Sequence, residues 1–221
     1  MNETQMLLGD PAEQINTAVK EFLESNWKCK AFKEELSLIK DPQLIVFAQE
    51  MISKLPDYFF HVAASSTGKY HPAYTNGDGG LLRHTKAAVR IAAELLRLEM
   101  YKSIAMSSDC IIIALILHDG WKHGQCDIDG SYPQYTLANH SEYCANWIKQ
   151  EGIKLAPVVI VNLIADLVLT HMGQWNYDAK TGRYFAPKPC TQEECFVHLC
   201  DYLASRKCLE MNFNIPFEGW N

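Results

Sequence analysis

Histidine and aspartate side chains recur along the chain next to apolar segments, where polar groups are not expected unless they have a partner. The adjacent pair His118-Asp119 directly follows the apolar run of residues 111–117. A helix that is apolar all round is buried, and burying an imidazole and a carboxylate costs several kcal/mol unless both are paired. A divalent metal ion would pair with both. An N-capping aspartate beside a surface histidine is the alternative that these two residues leave open.

Further ligand-type residues occupy similar positions in other predicted helices. They lie near a helix end or on an apolar face, and they are His84, His140, His171 and Asp201. Each of these residues, taken alone, is compatible with a polar residue of the core whose hydrogen bonds are made within the protein. Five helices that each carry such a group favour a shared metal site, and mixtures of imidazole and carboxylate suit iron, manganese and zinc.

The elements that must position these residues are helices. Asp41-Pro42 places an N-cap before a proline in the first turn, as does Asp10-Pro11, and Thr191 with Glu194 forms a capping box. Apolar residues with helical period follow. The predicted helices cover residues 10–25, 42–55, 56–66, 81–98, 109–118, 137–150, 157–172 and 191–209. Residues 177–184 predict one small β-hairpin, so the fold class is all-α.

Length and composition narrow the class of protein. The 221 residues fit one domain, or one domain with a helical extension. A net charge of −6 gives no general attraction to nucleic acid. The eight cysteines form no C-x-x-C pair and are expected to be reduced. No signal peptide begins the chain, and the apolar stretch 155–169 is too short to span a bilayer, which predicts a cytoplasmic protein without a membrane partner.

Three segments resemble a known family when they are taken in order. Gly-Gly-Leu-Leu-Arg-His-Thr (79–85), Leu-His-Asp-Gly-Trp-Lys (117–122) and the segment 198–206 are similar to blocks of the HD-domain superfamily of metal-dependent phosphohydrolases. They look most like the branch that contains bacterial HD-type 3′–5′ exoribonucleases and related uncharacterised hydrolases. The resemblance implies an HD helical bundle over residues 56–221. Residues 1–55 are predicted to be an N-terminal helical extension, without the strand-rich nucleic-acid-binding module that those exoribonucleases carry.

The resemblance also implies roles for the ligand-type residues. His84, His118, Asp119 and Asp201 match the core metal set of the superfamily, and His140 and His171 match the additional histidines of its two-metal members. The implied cofactors are two divalent metal ions per chain (iron, manganese, zinc, nickel or magnesium), and Asp119, with two oxygens between two imidazole clusters, is the expected bridge. Lys122 matches a lysine that faces the substrate phosphate; a solvated surface lysine is the alternative.

Other candidates come from loops and helix faces. The turn-rich loop 67–80 contains residues suited to contact a base or sugar, namely Tyr70, His71, Tyr74 and Asn76. Arg183 and Lys188 could reach a phosphate, although a solvated hairpin explains them as well. His198 shares a helix face with Asp201 and is expected to support the ligands.

The main functional hypothesis is a phosphohydrolase or phosphodiesterase. It would hydrolyse a nucleotide, a nucleotide-like phosphoester or a short oligonucleotide through a metal-bridging hydroxide. Its partner would be a small phosphorylated substrate, with nucleic acid only as a short single strand. A mixed-valent di-iron oxygenase of the same fold shares the six ligands and is the first alternative; a non-catalytic metal-binding module is the second. Packing of residues 1–55 on the bundle and a homodimer contact both stay open.

Overall fold

The computed structural model describes residues 21, 25–66, 68, 71–127, 129–207, 211 and 213. Within them the α-helices are α1 (Trp27–Ala31), α2 (Lys33–Leu36), α3 (Pro42–Ser53), α4 (Gly80–Leu95), α5 (Ser108–Leu117), α6 (His140–Gly152), α7 (Val158–Thr170) and α8 (Gln192–Ala204). Short 3₁₀ segments cover Asp57–Phe60, Ala73–Thr75, Glu99–Ser107 and Gly173–Trp175. Strands β1 (Tyr177–Asp178) and β2 (Arg183–Tyr184) pair antiparallel. The all-α fold class is confirmed.

Helix α5 lies at the centre of the bundle. Every residue from Cys110 to Leu117 is buried, and the helix contacts α3, α4, α7 and α8. Helix α4 packs along α8, and α6 packs along α7. The central helix therefore ends, at Leu117, in the middle of the surrounding helices, and the next two residues are delivered into the interior.

The N-terminal helices share this core. Cys29, Phe32, Phe47 and Met51 are completely or almost completely buried in the same apolar cluster as α5. Lys86 of α4 donates hydrogen bonds to the carbonyl of Ala31 and to Glu35. The described part of residues 1–55 thus packs on the bundle. The division of the chain at residue 56 stays a prediction, and the predicted helix 10–25 lies almost wholly outside the described residues.

The predicted helix over residues 56–66 is wrong. Only Asp57–Phe60 forms a single 3₁₀ turn. The backbone beyond it pairs with a distant segment: the amide of Leu81 donates to the carbonyl of Val62, and that of Ala64 to Thr75. These long-range hydrogen bonds replace those that a helix would make within itself.

The remaining helix predictions are confirmed apart from their ends. The side chain of Asp41 caps α3, and Thr191 and Glu194 form the capping box of α8. Helix α4 ends three residues early and α8 ends at Ala204. Helix α6 begins at His140, because the amide of Leu137 is bonded to the carbonyl of Lys122.

One stretch of the described residues, Glu99–Leu117, is long and apolar enough to cross a membrane by length and composition, but half of it is buried inside the protein. It contains the central helix α5, whose apolar character is explained by the core.

The cysteines that the structure describes are all free thiols, as predicted, and Cys208 lies outside the described residues.

Candidate metal centre

Five separate helices bring the six predicted ligands to one place. His118 and His171 directly follow the last residues of α5 and α7, and His140 is the first residue of α6. His84 lies in the second turn of α4, and Asp201 lies in the last turn of α8. All of them except Asp201 are at most 3% exposed. Polar groups at this depth require partners.

The start of α4 is fixed by a close contact that only glycine permits. A Cβ atom at Gly80 would lie 2.1 Å from the carbonyl oxygen of Thr75. The preceding Gly79 has a φ of +68°, in the left-handed region that glycine adopts without cost. This pair lets the loop turn sharply into the helix and sets the position of His84 one turn later.

Asp119 lies between two groups of imidazoles. Its Oδ2 is 3.5 Å from Nε2 of His118 and 3.8 Å from Nε2 of His84. Its Oδ1 is 3.1 Å from Nε2 of His140 and 3.8 Å from Nε2 of His171. Each oxygen therefore faces a different pair of histidines. On the Oδ2 side, Asp201 Oδ1 lies 2.9 Å from Nε2 of His84 and 3.5 Å from that of His118.

Three of the histidines are oriented by the same type of hydrogen bond to a backbone carbonyl. Nδ1 of His118, His140 and His171 donates to the carbonyl oxygen three residues earlier, at 2.7, 2.8 and 2.6 Å. A carbonyl can only accept, so Nδ1 carries the proton and Nε2 points to the centre. Such outer hydrogen bonds fix the tautomer and ring orientation of metal-binding histidines.

The protonation of the cluster follows from burial and opposite charges. Burial alone would raise the pKa of Asp119, but Lys122 and His118 outweigh it and hold that pKa well below its usual range. Burial opposes charge on His118, yet the carboxylates of Asp119 and Asp201 raise its pKa to about 10. Burial and the charge of His118 lower the pKa of His171 to about 3. The two carboxylates are thus ionised, and His171 is neutral.

The donor set fits divalent metal ions. Three triplets of ligand atoms lie within 4.8 Å of one another, namely His84-His118-Asp119, His118-His171-Asp201 and Asp119-His140-His171. Oδ1 of Asp119 and Nε2 of His140 are buried and make no hydrogen bond, although they lie 3.1 Å apart. Buried polar atoms without a partner are costly, and a cation between them would remove that cost.

A cavity of about 470 Å³ opens onto this cluster. Lys122 lines it, with a side chain only 12% exposed and Nζ 2.5 Å from Oδ2 of Asp119. His71 lines it as well, and its ring lies 6.1 Å from that of His84. The volume is in the range of small-molecule sites, so the cluster is accessible to a ligand of nucleotide size.

A comparison with known families agrees with this arrangement. The family profile of the HD domain matches residues 81–206, which is more than half of the chain. The chain belongs to the HD domain family. The matched segment contains all six ligand-type residues of the cluster. No curated protein and no solved structure matches the chain, so the resemblance to the exoribonuclease branch stays a prediction within the HD domain family.

Other predicted site residues of this HD domain lie away from the cluster. Tyr74 donates to the carbonyl of Ala204, and Tyr74 and Asn76 line a neighbouring cavity. Arg183 lies in the hairpin, where it donates to Glu142. Tyr70 lies outside the described residues.

His198 supports the cluster in a way that the sequence did not specify. Its Nδ1 lies 2.7 Å from the carbonyl oxygen of His171, not from Asp201. The ring fits there because Gly173 has no side chain: a Cβ atom at Gly173 would lie 2.3 Å from it.

Sequence reasoning missed several residues of this cavity, among them one aromatic and one basic residue. Trp175 and Arg206 line the same cavity as Lys122. Arg206 is the last residue of the segment 198–206, which carries the family resemblance. Its position in that segment was the feature of the sequence that could have pointed to Arg206. No feature of the sequence pointed to Trp175, apart from its place four residues after His171.

Proposed function

We propose that this HD domain is a metal-dependent phosphohydrolase that binds two divalent metal ions. The observation that carries the proposal is the placement of Asp119, with one carboxylate oxygen towards His84 and His118 and the other towards His140 and His171. A carboxylate in this position is suited to bridge two ions. His84, His118 and Asp201 would complete one ion's ligands, and His140 and His171 the other's.

When bound, a pair of divalent ions supplies a nucleophilic water at neutral pH and Lewis acidity for an in-line displacement at phosphorus. The residues of the chain have separate tasks. The backbone carbonyls of Leu115, Leu137 and Val168 hold three imidazole rings with Nε2 inward. Because these ligand side chains are already held in position, they do not have to reorganise during the reaction.

Lys122 is proposed to bind the substrate phosphate. Its ammonium group lies at the cavity wall beside Asp119, where most of the side chain is shielded from water. A shielded cation attracts a phosphate oxygen more strongly than an exposed one. The substrate would be a nucleotide, a nucleotide-like phosphoester or a short oligonucleotide, consistent with the size of the cavity.

The test is hydrolysis by the full chain after loading with manganese, iron, nickel, zinc or magnesium separately. Bis(p-nitrophenyl) phosphate and AMP serve as substrates. We expect turnover with at least one metal, and a loss of more than about 100-fold in Asp119→Asn, since several kcal/mol of transition-state stabilisation would disappear. Asp166→Asn removes a half-exposed carboxylate on α7 and should keep full activity.

Two outcomes would contradict the proposal. Equal activity of Asp119→Asn and the wild type would remove Asp119 from the site. Absence of hydrolysis combined with oxygen consumption by the iron-loaded chain would favour a di-iron oxygenase instead.

A further inference from the structure

The guanidinium group of Arg206 lies at the wall of the cavity, and no carboxylate among the described residues pairs with it. Arg183 pairs with Glu142, and Arg90 pairs with Glu34. Arg206 forms no ion pair with any residue in the described part of the chain. Its Nε is buried and makes no hydrogen bond. The described part of the protein thus leaves part of the hydrogen-bonding capacity of this guanidinium unused.

Aromatic rings hold Arg206 in place. Its Cζ lies 4.1 Å from the ring centroid of Tyr202 and 5.3 Å from that of Trp175. The two rings are themselves nearly parallel, at 11° with centroids 5.7 Å apart. A guanidinium stacked on aromatic faces keeps its N–H donors in the plane of the group, free for two parallel hydrogen bonds to an anion.

Arg206 and Lys122 come from different elements of the fold. Arg206 lies two residues beyond Ala204, where α8 ends, whereas Lys122 lies five residues beyond Leu117, where α5 ends. Both residues line the cavity that opens onto the histidine and aspartate cluster. A molecule in this cavity would thus have two cationic contacts that come from different elements.

We propose that Arg206 binds a second phosphate of the substrate, one that is not cleaved. The preferred substrate is then a phosphoester that carries another phosphate on the same molecule, such as a nucleoside bisphosphate or a short oligonucleotide with a terminal phosphate. This inference rests on the proposed phosphohydrolase function, because it assigns the cleaved phosphate to the cluster.

The test compares two substrates that differ by one phosphate, adenosine 3′,5′-bisphosphate and AMP, with the metal-loaded full chain. We expect the wild type to prefer the bisphosphate in kcat/KM by at least about tenfold. Arg206→Gln should lower kcat/KM for the bisphosphate by about 10- to 100-fold, the range for a lost charge-assisted hydrogen bond, and change that for AMP by less than about twofold. Arg206→Lys should recover only part of the loss, because it lacks the planar fork.

Lys207→Gln is the matched control. It removes the same charge from the neighbouring position, which is exposed and does not line this cavity, and the preference for the bisphosphate should persist. A loss of equal size for both nucleotides in Arg206→Gln would overturn the proposal, since Arg206 would then support the fold or the cleaved phosphate. So would a wild type without preference for the bisphosphate.

Failure of the proposed function gives a different result. If neither nucleotide is hydrolysed with any metal, their binding to the metal-loaded chain can be measured directly by titration calorimetry. Tighter binding of the bisphosphate, lost in Arg206→Gln, would support the Arg206 subsite while refuting hydrolysis. Equal binding of both nucleotides would overturn the subsite too.

Discussion

The burial of individual candidate ligands was predictable because their chemistry conflicts with the apolar residues around them. His118 and Asp119 follow an apolar run, and both are buried as the sequence suggested. The sequence analysis expected Asp119 between two imidazole clusters, but the distances and the pair of histidines that each oxygen faces depend on how four helices cross. The stacking of Arg206 on Tyr202 and Trp175 was missed for the same reason.

Lys122 provides a prediction at the residue scale. Lys122→Met removes the shielded cation at the cavity wall and should lower kcat/KM for phosphoester hydrolysis by about 10- to 100-fold, as expected for a charge-assisted hydrogen bond. Metal content should be unchanged, because an ammonium group is not a ligand. Steady-state kinetics and elemental analysis of the same preparation measure both.

The control is Lys154→Met, which removes a side chain that is 61% exposed beside Glu151. It should retain wild-type kinetics. Unchanged kinetics in Lys122→Met would mean that Lys122 has only a structural pairing with Asp119.

At the scale of elements, local patterns predicted the helices but not their ends. Caps such as Asp41 and Thr191 act within four residues and can be recognised from the sequence. The failure at residues 56–66 has a long-range cause, since the backbone of Val62 and Ala64 pairs with residues 75–81. Apolar and aromatic residues in that segment pack into the core without α-helical geometry.

The close contact at the start of α4 leads to a prediction about stability and metal affinity. Gly80→Ala would press a Cβ atom against the carbonyl oxygen of Thr75 and should lower the free energy of unfolding by about 1–3 kcal/mol, as overpacking does. The displaced helix start should also reduce metal affinity through His84. Chemical denaturation and metal titration of the variant test these two effects.

Gly182→Ala is the comparison at another glycine. A Cβ atom there meets no atom within 4 Å, although its φ is +70°, so this variant adds left-handed strain without a clash and without contact with His84, whereas Gly80 has no positive φ. Normal metal affinity in Gly80→Ala would show that the close contact does not position the histidine.

On the scale of the whole molecule, the N-terminal helices are tied to the bundle by a buried charge pair. Glu35 is fully buried with Oε2 2.5 Å from Nζ of Lys86. Burial raises the pKa of Glu35 above its ordinary value of 4.5, although Lys86 acts in the opposite direction. The folded protein therefore holds this proton more tightly than the unfolded chain does.

This pKa shift predicts a pH dependence of stability. A raised folded pKa means that the contribution of Glu35 is present below pH 4.5 and is lost as the pH rises through the folded pKa. Relative to Glu35→Gln, the wild type should lose free energy of unfolding with increasing pH. Urea denaturation of both proteins between pH 4.5 and 8 measures the difference. A difference that grows in favour of the wild type with pH would contradict the predicted direction.

The central claim concerns the whole cluster, and metal content tests it most directly. Elemental analysis by inductively coupled plasma mass spectrometry after reconstitution with manganese or iron should find about two ions per chain, as a carboxylate-bridged pair requires. Asp166→Asn should also bind two, His140→Ala should bind about one, and Asp119→Asn should bind fewer than the wild type. A wild-type chain that binds no metal after reconstitution, or an Asp119→Asn variant that still binds two, would contradict the account.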